Sequence, residues 1–107
     1  MSKLEDTLAN QIHLAGLPPP VREFKAVPGR RFSFDFAWPS HRLLLEVQGG
    51  TWGAGRSGHS TGSGINRDCE KVSLAVLAGF QVMLADAKQV TSGMALRWLQ
   101  QVLKEAA

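Results

Sequence analysis

Arg31-Phe32-Ser33-Phe34-Asp35-Phe36-Ala37-Trp38 alternates without a break, and Arg42-Leu43-Leu44-Leu45-Glu46-Val47-Gln48 follows it after Pro39-Ser40-His41. A period of two is the mark of a strand with two different faces. The first run places Phe32, Phe34, Phe36 and Trp38 on one face, with Arg31, Ser33, Asp35 and Ala37 on the other. In the second, Leu43, Leu45 and Val47 oppose Arg42, Leu44, Glu46 and Gln48. The intervening residues suit a short turn, so the two runs predict a hairpin. A less regular strand is expected before it, over residues 21–27.

Downstream, GGTWGAGRSGHSTGSG (residues 49–64) holds seven glycines and three serines. It has too little apolar surface for a regular element and reads as a long flexible loop. A helix is predicted from Arg67 to Ala78, with Cys69, Val72 and Val76 inward and Gly79 ending it. Phe80 to Ala85 alternates as a strand. A last helix, about 92–105, turns Ala95, Trp98, Leu99 and Val102 inward. Upstream, Leu4, Leu8 and Ile12 recur at helical spacing over residues 3–15, and Ser2 with Glu5 fits a capping box. Gly16 and Pro18-Pro19-Pro20 stop that helix. The order is helix, three strands, helix, strand, helix.

At 107 residues the chain has room for one compact domain, 1–107, and not for two. A hydrophobic share of 44% excludes a disordered chain, and a net charge of +3 permits a polyanionic partner without requiring one. The single cysteine, Cys69, forms no internal disulfide and reads as a small core residue. The first residues lack a signal peptide's apolar stretch, and apolar runs are far shorter than the roughly 20 residues of a bilayer span. A cytoplasmic protein with no membrane partner is the expectation.

The hairpin brings Asp35 and Glu46 onto neighbouring strands, where both carboxylates can leave the same sheet face. Close carboxylates repel unless a cation, a proton or a basic side chain intervenes. A hard divalent ion such as Mg²⁺ suits oxygen ligands and can activate water beside a phosphate. Pairing with Arg31 or Arg42 on a solvated face is the simpler alternative. Arg31, Arg42, Arg56 and Arg67 suit phosphate contacts, and Trp52 can stack on a base or anchor the loop on the core.

An acidic residue in one strand, a turn, and a strand ending Glu-x-(Lys/Gln/Glu) resembles the PD-(D/E)xK nuclease signature. Its pieces here are Phe34-Asp35-Phe36-Ala37-Trp38-Pro39 and Leu45-Glu46-Val47-Gln48-Gly49-Gly50. The glycine-rich segment, Asp68-Cys69-Glu70-Lys71 and Gly79-Phe80-Gln81-Val82 look like small phage and bacterial nuclease domains related to very-short-patch repair endonucleases. The resemblance covers nearly the whole chain. It implies an α/β fold, a restriction-endonuclease-like αβββαβ core with a central mixed sheet flanked by helices. The implied activity is Mg²⁺- or Mn²⁺-dependent hydrolysis of DNA phosphodiesters, with branched or otherwise structured DNA a candidate substrate. The host is implied to be bacterial or phage-encoded, and a homodimer would cut both strands.

Carried over by residue, Asp35 and Glu46 would be metal ligands, joined by the Val47 backbone carbonyl. Gln48 stands where the family's lysine is usual, and an amide supplies no positive charge. Lys71, one helical turn after Asp68, is a candidate substitute; the alternative is a surface lysine. His59 and Asp68 resemble the histidine and aspartate that support hydrolysis in the very-short-patch relatives. Glu23 is favoured over Glu5 as the family's early acidic residue. The runner-up reading is a catalytically inactive nucleic-acid-binding module on the same fold. A structural or assembly factor is a third.

Overall fold

Helix α1, Lys3–Leu14, begins as its sequence dictates: the Ser2 side chain accepts from the Glu5 N–H at 3.1 Å, and Leu8 and Ile12 are buried. The computed structural model describes residues 2–48 and 62–104, with side chains for 2–48 and 69–104. Strands β1 (Val21–Phe24), β2 (Phe34–Trp38), β3 (Leu43–Gln48) and β4 (Gln81–Asp86) form one four-stranded sheet in sequence order. β1, β2 and β3 run antiparallel, and β4 lies parallel to β3. That parallel step requires a crossover, which helix α2, Gly62–Leu77, supplies. Helices α3 (Ala87–Thr91) and α4 (Met94–Leu103) complete the chain. The protein is thus mixed α/β. Among the described residues, no helix is long and apolar enough to cross a membrane.

Two apolar clusters cover the two sheet faces. α1, α3 and α4 close over Phe36, Trp38, Leu43 and Leu45 on the first. On the second, Ala75 of α2 and Phe80 meet Ala37, Leu44 and Phe34. Phe34 is the departure from the strict alternation. It is fully buried, yet it belongs to the face opposite Phe36. The switch is shared by β1. Arg22 lies over the Phe36 ring, 4.5 Å from its centroid, whereas Phe24 packs with the second cluster. Between them Glu23 has φ of +52°, a left-handed conformation that turns the pleat over. Both paired strands therefore change faces at Glu23 and Asp35, and the sheet stays hydrogen-bonded across the change.

Other expectations need correction. β2 starts at Phe34 rather than Arg31, which leaves Phe32 outside it under the Arg30 guanidinium at 5.1 Å. β1 ends at Phe24 rather than residue 27. α2 begins at Gly62, inside the predicted loop; glycine's cost of about 1 kcal/mol in a helix made Arg67 look like the start. Its inward side is Ala75, whose small side chain lets α2 approach the sheet, and the stem of Lys71, while Cys69 and Val76 are exposed. The predicted last helix is α4 alone, which starts after Gly93 with φ of +87°, and the short α3 before it had no counterpart in the predicted order. The capping box at the start of α3 is Asp86 with Gln89. The rest of the predicted loop, with Trp52, Arg56 and His59, lies outside the described residues.

Candidate active site

The face switch sets Asp35 at the meeting point of α1, β1, β2 and β3. Asp35 and Glu46 interlock through the backbone: the Asp35 N–H donates to Glu46 Oε1 at 3.1 Å, and the Val47 N–H donates to Asp35 Oδ2 at 2.8 Å. The second Glu46 oxygen, Oε2, accepts from Lys71 Nζ at 2.6 Å. Lys71 reaches in from α2 with its side chain only 15% exposed, so it is not a surface lysine. Its ammonium also lies 4.6 Å from the centre of the Phe34 ring. Gln48, one pleat beyond Glu46, is half-buried at the end of β3.

On the other side of Asp35, ligand oxygens of Glu5, Glu23 and Asp35 all lie within 4.8 Å of one another. Glu5 and Glu23 were alternatives in the sequence; the fold brings both to Asp35. Glu5 does not close the expected capping box. Its Oε1 is buried, accepts no hydrogen bond among the described residues, and lies 3.7 Å from Arg22 Nη2. Glu23 accepts from the Ser33 hydroxyl at 3.2 Å.

Such crowding has an electrostatic consequence. Burial, with the negative charges of Glu46 and Glu23, raises the Asp35 carboxyl above its ordinary value, against the lowering by the Val47 N–H and Lys71. The folded state then holds the Asp35 proton more tightly than the unfolded chain does. Stability of the metal-free protein falls as pH rises from the unfolded value, near 3.8, through the raised folded value. Asp35→Asn removes that loss and keeps an acceptor for Val47. At pH 7 it is expected to be more stable than wild type by up to about 1 kcal/mol, because a part-exposed charge is screened. Thermal melting at pH 7 and pH 3 checks this: the gain should vanish at the lower pH.

The donor set suits a hard cation. Every available ligand is an oxygen, and Glu5 Oε1 has no competing hydrogen bond among the described residues. Mg²⁺ holds ligands at about 2.1 Å, so opposite oxygens sit about 4.2 Å apart. The oxygens of Glu5, Glu23 and Asp35, within 4.8 Å of one another, would have to draw together to hold one ion. The expected Asp35–Glu46 pair differs in one respect: both Glu46 oxygens already have partners. The peptide of Val47 is at the site through its N–H; its carbonyl as a ligand rests on the resemblance.

The remaining sequence candidates divide. Arg42 does not pair with either carboxylate. Its guanidinium donates to the carbonyls of Ala78 at 2.7 Å and Gly79 at 3.2 Å, capping α2, and lies over Phe80. Arg42 stands just before β3, four residues from Glu46, a separation of about 13 Å in an extended chain. A phosphate contact by Arg42 would compete with that cap. Arg31 is exposed, beside Arg30, which pairs with Glu70 at 2.9 Å. Arg67 and Asp68 lie on the described backbone of α2, and their side chains lie outside the described residues. Arg22 lies near Glu5 and over Phe36, a place at the acidic cluster for which the sequence pattern holds no signal. The chain matches no protein-family model, and no curated protein is significantly similar to it, so a functional reading rests on this geometry and on the resemblance carried by Asp35, Glu46 and their strands.

Proposed function

We propose that the protein is a metal-dependent DNA endonuclease of the PD-(D/E)xK type. The observation that carries the reading is the convergence on Asp35 of three further carboxylates, Glu5, Glu23 and Glu46, with one ammonium, Lys71, placed on Glu46. The antiparallel hairpin followed by a helical crossover to a parallel strand is also the arrangement that the resemblance implies. A bound Mg²⁺ or Mn²⁺ would lower the pKa of a water and neutralise charge on the scissile phosphate. Asp35 and Glu46 would hold it, with the Val47 carbonyl and with Glu5 or Glu23. Lys71 keeps two N–H donors beyond the one given to Glu46, and these would meet phosphate oxygens. Gln48 would add a hydrogen bond but no charge. His59 and Asp68 keep the supporting roles that the resemblance gives them, and Arg31, Arg67, Arg56 and Trp52 remain the candidate DNA contacts.

Gln48 favours one rival, an inactive nucleic-acid-binding module on the same fold. The two readings differ in cation binding. Titration with Mn²⁺, whose unpaired electrons broaden nearby signals, is expected to broaden the amide resonances of Asp35, Glu46 and Val47 selectively in the absence of DNA. Asp35→Ala should lose that selectivity. Uniform or absent broadening at millimolar Mn²⁺ would remove the metal site, and DNA binding that persists in chelator would then favour the module.

A further inference from the structure

Phe34 has no role in the chemistry above; it packs in the second apolar cluster, and its ring also faces a charged side chain there. A regular strand would set it beside Phe36, on the face covered by α1 and α4. Instead it crosses to the α2 face, fully buried, and lays its ring under the Lys71 ammonium at 4.6 Å. A lysine two residues after Glu46 would be held by the strand itself. Lys71 comes from a different element on a flexible four-carbon stem, which loses rotamer freedom when it is held in one place. A ring face attracts an ammonium without consuming any of its three N–H donors.

We propose that Phe34 is a positioning residue: its ring face holds the Lys71 ammonium at Glu46, which lets a lysine from α2 stand in for the charge that Gln48 lacks. The catalytic consequence rests on the nuclease reading; the placement itself does not. If a cation or a phosphate oxygen draws on the Glu46–Lys71 contact, the ring contact persists and keeps the ammonium in the site. The ion pair alone would let it go.

The test replaces Phe34 by fluorinated phenylalanines, which weaken the negative face of the ring with little change of shape. Two readouts are taken on the full chain. In the metal-free protein, the Lys71 ε-methylene protons should be displaced upfield by the ring and show nuclear Overhauser contacts to it. With Mg²⁺ and DNA, kcat should fall stepwise with fluorine number, reaching about twofold to tenfold for the trifluoro ring, at unchanged KM. The fall should disappear when Lys71→Met is already present. A Lys71 signal at the position of a free lysine overturns the proposal, as does a kcat indifferent to fluorination or a fall that survives in Lys71→Met. A wild-type protein that never cleaves DNA defeats the nuclease reading instead, and the proton signal still decides whether Phe34 places the ammonium.

Discussion

Asp35→Ala and Glu46→Ala are each expected to lower cleavage by at least about a thousandfold while the protein stays folded. Loss of a single transition-state donor costs about a hundredfold to a thousandfold, and loss of a metal ligand removes the agent that activates the water as well. Neither side chain fills the core; both are half-buried at the edge of the second apolar cluster. Each truncation breaks a hydrogen bond to a backbone N–H, that of Val47 or that of Asp35, and Glu46→Ala also leaves the Lys71 ammonium without its carboxylate. The lost hydrogen bond costs about 1 kcal/mol, and for Asp35 it is offset by relief of repulsion from Glu23 and Glu46. Circular dichroism should therefore keep the wild-type signature while product formation drops to background, with Glu46→Ala melting below Asp35→Ala because it strands the Lys71 charge. A wild-type rate from either variant in Mg²⁺ would mean that the site lies elsewhere.

Lys71→Met is expected to lower turnover by about tenfold to a thousandfold, the scale of one electrostatic stabiliser. Methionine keeps much of the apolar stem that α2 lays against Phe34 and removes only the charge. The substitution also frees Glu46 Oε2, so divalent cation affinity should hold or rise rather than fall. DNA affinity in Ca²⁺ should change far less than kcat. Weakened binding with turnover intact at saturation would reduce Lys71 to a phosphate contact. No change in either would leave Glu46–Lys71 as a structural ion pair.

Periodicity alone carried much of this arrangement. The apolar stripe of α1 buries Leu8 and Ile12, and the two alternating runs form the β2–β3 hairpin with Asp35 and Glu46 adjacent. Lys71 follows Asp68 by three residues, and that spacing was enough to nominate it. What periodicity cannot register is a strand that changes faces. It assumes a regular pleat, and the turnover depends on a left-handed backbone at Glu23, a residue type that gives no signal for it. The same blindness hid the joint approach of Glu5 and Glu23 to Asp35, because Glu5 arrives from a helix whose docking is tertiary. On α2 the valines and Cys69 looked like the inward side. The sheet instead accepts Ala75 and the Lys71 stem, where close approach outweighs hydrophobicity. The break between α3 and α4 turns on Gly93, whose role depends on a conformation rather than a pattern.

The central claim is that these carboxylates hold a divalent cation that cleaves DNA. It is tested most directly by incubating the wild-type protein and Asp35→Ala with supercoiled plasmid and with a branched DNA junction. Each reaction is run in Mg²⁺, in Mn²⁺ and in chelator. The expected result is nicked, linear or resolved product from the wild type in either metal, none in chelator, and none from Asp35→Ala in any condition. Cleavage that persists in chelator, cleavage by Asp35→Ala equal to wild type, or intact DNA from the wild type in both metals would contradict it.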